Sequence, residues 1–415
     1  MAMNVGAWRW FSPSTTGKTP APRASFASAV VNNTLFIAGG WDGTSAFDDA
    51  FGLDLELFRW REMFVRKTGN ATLDGRILFG HASIGETLYI HGGTKVTNLA
   101  DRFSDVLALD TASGELRTVP TSGDGPGGLM RHTIAARENS LWVVGGLAEK
   151  FSSAVHRLDI LDDGDGGTWH RVAAEGFVPW PRAYHCLAAI PAPSPYLLLS
   201  GGGDGDRDFH DVYALDVRTS YWHRFSNITG DVMVISSAAC GLLPLQMASS
   251  DDAEGHIDEN ARSALVMHGG FGGVGNNKST HGRMNIARVL QFGTSTTSWR
   301  WSELKVSGSP TTARMNHRLH VINATCIITF GGSGDGEHLS DVSVGTPNRR
   351  RRAESASMLV GDPGNGALDS DANTLDDSDA LESDANAFDE SEYQVIRTVR
   401  TADKSKRVRK AKRHA

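Results

Sequence analysis

Six times along the chain an apolar run ends in a pair of glycines: LFIAGG, LYIHGG, LWVVGG, YLLLSGG, ALVMHGG and CIITFGG. The first glycines are Gly39, Gly92, Gly145, Gly201, Gly269 and Gly331, so successive copies lie 53, 53, 56, 68 and 62 residues apart. A period of this size marks a repeat architecture, because one small unit cannot cover both of its own faces and neighbours must stack to make a core. Residues 1–346 are therefore read as one repeat body, and 347–415 as a separate tail.

Other features hold fixed offsets from each glycine pair. A second short strand ends in Leu-Asp at Leu53-Asp54, Leu109-Asp110, Leu158-Asp159 and Leu215-Asp216. An aromatic follows six residues later in Trp60 and Trp222; Leu116 replaces it in the second copy, and Trp169 and Trp299 come slightly later. Ahead of five of the pairs lies a strand opened by an arginine or histidine: Arg23 with Phe26, His81, His132, Arg182 with His185, and Arg314 with His317. Each repeat reads as four strands. Runs such as LWVV suit an inner strand covered on both faces, ended by glycines where side chains would crowd a central channel.

These features resemble the Kelch-repeat family, whose blades combine the double glycine, an apolar residue before Asp and a spaced Trp. The period also fits the roughly 50 residues of Kelch blades better than the roughly 40 to 45 of WD40 units. The resemblance covers about residues 1–346 and implies an all-β, six-bladed Kelch-type β-propeller. After Asp341-Val342-Ser343-Val344 no outer Trp strand follows, whereas Trp8-Arg9-Trp10-Phe11 opens the chain unpaired. This N-terminal strand is expected to complete the last blade and close the ring, hiding two edges.

Composition bounds the rest. Three cysteines, Cys186, Cys240 and Cys326, with no CxxC pair, suggest neither a disulfide framework nor a thiolate metal site, and a reducing compartment fits best. No stretch of eighteen apolar residues occurs, so no membrane role is expected and the chain is placed in the cytoplasm, with the nucleus as a second address. Blade five carries the two longest insertions, about 247–262 and 270–285. From Asn348 the chain turns to charge blocks: eleven acids and no base between Asp362 and Glu392, then a basic run. Such a tail cannot bury enough apolar surface to offset chain entropy and is expected to be disordered. Lys404, Lys406, Arg407, Arg409, Lys410, Lys412 and Arg413 form a nuclear-import candidate, and the one segment with weak affinity for nucleic acid.

The expected function is a scaffold or adaptor, a monomeric propeller that binds a protein or peptide through its loop face without catalysis or cofactor. By the resemblance, Arg23, Arg182 and Arg314 line a pocket at the mouth of the channel and offer guanidinium forks to acidic or phosphorylated motifs. The individually distinct loops after the glycine pairs add Trp41, Lys95, Arg102, Arg207 and His210. The loop from Asp204 to Asp211 is rich in carboxylates but is ordinary turn composition, and no metal is assigned to it. The alternative is a Kelch-fold enzyme, a sugar mutarotase or metal-dependent specifier; Glu337 and Asp341 fit the latter's ligand spacing, but Gly345 stands where its histidine belongs.

Overall fold

The computed structural model describes residues 7–347, apart from 163, 227, 231–232, 245–262, 275–281, 284, 286, 293–298 and 310. Most of both blade-five insertions, and the whole tail with Lys404 to Arg413, lie outside the described residues. Contacts divide the chain into Met1–Pro347 and Asn348–Ala415.

All regular structure among the described residues is β, arranged mainly as six sheets of five strands. In the first sheet, Ala27–Val31, Thr34–Ala38, Ala50–Asp54 and Arg59–Met63 form an antiparallel meander. The other sheets repeat this order. Their innermost strands are Gly80–Ile84, Thr133–Arg137, Cys186–Ala189, Ala239–Pro244 and Arg318–Asn323. Each innermost strand lies against the next, and Arg318–Asn323 lies against Ala27–Val31 of the first sheet.

Two expectations change here. The apolar run is the second strand of each sheet, such as Ser140–Val144, between two neighbours and therefore covered throughout. The innermost strands are more polar because they line a central cavity. Each sheet also has a fifth strand, a short parallel one contributed by the link that follows the preceding sheet: Thr16–Gly17 runs beside Arg59–Met63, and Glu175–Gly176 beside Tyr221–Arg224. In five of the six sheets, the second excepted, the fifth strand carries a glycine pressed on the carbonyl of the outer tryptophan. A Cβ on Gly17, Gly123, Gly176, Gly230 or Gly308 would sit 2.0–2.5 Å from the oxygen of Trp60, Trp169, Trp222, Trp301 or Trp10. All five glycines have φ between 83° and 93°, where other residues are strained.

Trp10 belongs to that series although it comes from the chain's first strand. Trp8–Phe11 pairs antiparallel with His338–Pro347 and parallel with Val306–Gly308, so that one sheet unites both ends of the repeat body. Trp8 and Trp10 are buried against Ala239, Val266 and Leu319, within a cluster shared by the fifth and sixth sheets. Comparable clusters fill the seams between the first and second, second and third, third and fourth, and fourth and fifth sheets. Phe26, Phe330 and Trp60 meet ring to ring between sixth and first, with centroids 5.1 and 5.4 Å apart.

Backbone hydrogen bonds also cross the seams. Both glycines of every pair have positive φ, and the second donates to the next sheet: Gly93 to Leu129, Gly146 to Arg182, Gly202 to Ile235, Gly270 to Arg314 and Gly332 to Arg23, all at 2.8–2.9 Å. Two residues beyond each acceptor the chain turns left-handed on a residue that is not glycine: Ser25, Leu78, Arg131, Tyr184, Ser237 and Asn316, with φ of 54–59°. Bonds of 2.8–3.1 Å run from Arg131 N–H to Leu78 O, Tyr184 to Arg131, Ser237 to Tyr184, Asn316 to Ser237 and Ser25 to Asn316. The sixth sheet therefore addresses the first with the same atoms that the fourth uses on the fifth.

Candidate partner-binding face

The segment bearing each left-handed residue pairs with the stretch just after its own glycine pair, as in the bridges Ala24–Trp41, Met130–Leu147, Ala183–Gly203 and Met315–Ser333. The post-glycine loops and the left-handed residues thus occupy one end of the repeat body. Asp42, Asp54, Asp110 and Asp204 accept backbone N–H bonds two and three residues on, which fixes loop ends and turns. In Asp42, bonds from Ser45 and Thr44 hold the carboxyl down at about 2.

Arg23, Arg182 and Arg314 are not on this surface. Each is at most 1% exposed and engages one carboxylate with both terminal nitrogens: Asp49 at 2.5 and 3.0 Å, Asp211 at 2.5 and 2.9 Å, Asp341 at 2.9 and 2.6 Å. Each also donates to the carbonyl of the first glycine of its pair, at 3.0 Å. Arg76, which sequence reasoning passed over, does the same with Asp105 and Gly92. The pocket role expected of the three arginines therefore gives way to an internal clamp. The reason is energetic: a guanidinium is tolerated in the interior only when its charge and donors are all met. The third sheet makes the point by deletion. It has Leu129 in the arginine slot, and Ala154 occupies the aspartate's backbone position, its carbonyl accepting from Gly145 N–H as that of Asp49 does from Gly39. Both polar partners are missing together, the exchange that costs least.

A short motif announces the clamps. Phe47, Phe103 and Phe209 each precede the clamp aspartate by two residues, and the guanidinium stacks 3.8–4.1 Å over their rings. Asp341, one of the two specifier-like acids, is thus committed to Arg314.

The remaining predicted residues spread over three sheets. Trp41 is half-buried with its ring 5.7 Å from that of His338 in the sixth sheet, so it packs across a seam. Lys95 is exposed and donates to Asp101 at 2.9 Å. Arg102 lies beside it on a small added sheet of Arg76–Ile77, Thr94–Lys95 and Asn98–Arg102. Arg207 and exposed His210 share a loop, where Arg207 bonds Asp204 at 3.0 Å and lies 5.0 Å over the Trp180 ring. Trp180, 60% exposed, and its neighbour Phe177, 63% exposed, escaped the sequence reading because they precede the slot instead of following the glycine pair.

The left-handed residues themselves also escaped it. Leu78, Arg131, Tyr184, Ser237 and Asn316 are half-buried around one opening. Arg131 stacks 4.8 Å over the Tyr184 ring, and no carboxylate among the described residues lies within ion-pair distance of it. Burial pushes the Tyr184 phenol up, and the charge of Arg131 opposes this.

Below the opening is a cavity of about 430 Å³ lined from all six innermost strands. Its wall includes a disulfide, Cys186–Cys240, which overturns the expectation of unpaired cysteines. The two cysteines lie one repeat apart on adjacent innermost strands, with Cα atoms at 6.1 Å, within bonding range. Cys326 is free and buried, and burial pushes its thiol up to about 12.

Comparison with known proteins matches the KLHDC2/KLHL20/DRC7 Kelch-repeats domain over residues 74–243 and the Kelch motif over 22–63. Acyl-CoA-binding domain-containing protein 5 of Arabidopsis thaliana is 29% identical over 224 residues, covering 52% of this chain and 34% of that protein. Kelch domain-containing protein 3 of Rattus norvegicus is 24% identical over 243 residues, covering 53% and 60%. Kelch domain-containing protein 10 of Homo sapiens is 28% identical over 198 residues, covering 47% and 43%. The chain thus aligns with between about a third and three fifths of the length of these relatives.

Proposed function

Because the chain belongs to the Kelch-repeat family, whose domains generally mediate protein interactions, we propose that its six sheets are the blades of a closed propeller presenting one binding face to a protein or peptide partner. Support for closure comes from the innermost strands, which touch in a full circle, and from the three backbone bonds that carry the sixth sheet onto the first: Arg23 N–H to Leu339 O, Gly332 N–H to Arg23 O and Ser25 N–H to Asn316 O. The protein acts by binding and not by catalysis, in the cytoplasm or nucleus.

The observation that carries the binding proposal is Arg131. It is a half-buried cation with no carboxylate within ion-pair distance among the described residues, stacked on Tyr184 at the opening. A half-buried guanidinium placed in this way favours an acidic or phosphorylated segment, with Trp180 and Arg207 as the outer contact. The test is affinity capture with the full chain beside Arg131→Glu and Arg23→Ala. Loss of partners in Arg131→Glu at unchanged thermal stability is expected, whereas Arg23→Ala should lower stability first. Identical partner sets for wild type and Arg131→Glu would sink the proposal.

A further inference from the structure

The cavity wall has an unbalanced charge. Among its described lining residues are Arg318 and five histidines, His81, His132, His185, His317 and His320, and no Asp or Glu. The four clamp arginines each have a carboxylate; among the described residues Arg318 has only the carbonyls of Phe26 at 2.8 Å and His317 at 3.3 Å, with the Phe26 ring 5.6 Å away. Burial pulls its guanidinium down to about 10, since the charge is taken out of water. An ion placed in low dielectric without a counter-ion costs several kcal/mol, so a cavity built this way gains by admitting an anion.

The neighbouring groups suit one. Ser28 Oγ and His320 Nε2 lie 2.8 Å apart, and both line the cavity. His81, also on the wall, feels the charges of Arg318, His320 and His132 after the larger effect of burial, and His320 feels Arg318. His132, His185 and His317 pair through Nε2 with His91, Thr133 and His268 at 3.1, 2.6 and 2.9 Å, and the Nδ1 of each has no partner among the described residues. Arg318, with His81 and His320, whose rings feel its charge, and Ser28, bonded to His320, are the donors grouped about the unbalanced charge.

We propose that the central cavity is a binding site for one small anion, an oxyanion or carboxylate, held by Arg318 with His81, His320 and Ser28. It lies beneath the partner-binding opening and does not depend on the partner proposal. A bound anion stabilises the protonated form of the two imidazoles, so affinity rises as pH falls.

Calorimetric titration of the full chain in low-salt buffer tests this, with sodium sulfate and sodium acetate in separate arms to distinguish an oxyanion from a carboxylate. Saturable binding of about one anion per chain is expected in at least one arm, tighter at pH 6.0 than at 7.5. It should vanish in Arg318→Met and persist weakly in Arg318→Lys. If Arg318→Met does not fold, His81→Ala and His320→Ala replace it, each expected to weaken binding. Unsaturable heats in both wild-type arms, or isotherms unchanged by these substitutions, overturn the site; equal affinity at the two pH values removes the imidazoles from it.

Discussion

Arg182 is 1% exposed, and its partner Asp211 is the most shielded of the clamp acids, so this pair shows most clearly what a single residue does. Removing one member leaves a buried charge without its partner, which costs about 3–5 kcal/mol. Arg182→Ala should therefore move the urea midpoint far to lower concentration. Arg182→Lys recovers little, because an ammonium cannot make the two-pronged contact. Converting the pair to the third sheet's choice, Arg182→Leu with Asp211→Ala, should restore part of the loss; a double variant no more stable than Arg182→Ala alone contradicts the clamp. Glycine positions differ as sharply. Gly176→Ala places a methyl 2.5 Å from Trp222 O at φ 83° and should cost several kcal/mol by the same assay, whereas Gly85→Ala, at φ 59° in open space, should cost about 1 kcal/mol.

At the scale of strands, Trp8–Phe11 and the disulfide join distant parts of the repeat. Deleting residues 1–12 removes Trp8 and Trp10 from the seam between fifth and sixth sheets and uncovers His338–Pro347 and Val306–Gly308. Cooperative thermal unfolding should then shift down by 10 °C or more, on the order expected for losing two buried tryptophans; an unchanged transition excludes this role. Cys186–Cys240 closes a loop with a sequence separation of 54, worth up to about 4 kcal/mol in the chain-entropy account. Cys240→Ser should lower stability in oxidising buffer and make no difference under reductant. Thiol alkylation of protein from a reducing compartment should find the pair open.

The strand scale also shows what the sequence made legible. Each glycine pair announced its strand because both glycines meet a steric demand visible at any distance, and the stray Trp8-Arg9-Trp10 pointed to a strand in search of a sheet. The fifth strand was hidden because two residues carry no periodicity; only the recurring Gly17, Gly123, Gly176, Gly230 and Gly308 betray it. The clamps were half legible: arginines and aspartates both recur, but they lie 26–29 residues apart and burial alone tells a clamp from a recognition group. Arg131 was missed because its neighbours in the ring are Ser, Leu, Tyr, Ser and Asn, and a position defined by its backbone leaves no trace in residue type.

Taken whole, the protein holds many imidazoles in its interior. Burial lowers His81, His132 and His317 well below the usual value, His91 and His320 to about 4, and His185 and His268 to about 3. For His91 the attraction of Asp105 opposes this and the charge of Arg76 adds to it. The unfolded chain protonates these groups near pH 6.5, the folded one only far lower. Between those limits the unfolded state binds more protons, so stability is complete above pH 6.5 and falls as pH drops toward about 4. Each histidine contributes up to about 1.4 kcal/mol per pH unit. The melting temperature should fall steeply between pH 6.5 and 4.5 and recover on neutralisation; a flat profile there would show that the histidines are not buried together.

The circle of left-handed residues has one more consequence. Main-chain atoms make its bonds, so it asks of each side chain only that it tolerate φ near 57°, a toll of about 1 kcal/mol at most positions. Ser, Leu, Arg, Tyr, Ser and Asn already fill it within one molecule. A lineage carrying this scaffold can rewrite those six letters one at a time, acquiring new tastes in partner while the clamps, glycines and tryptophans beneath remain untouched.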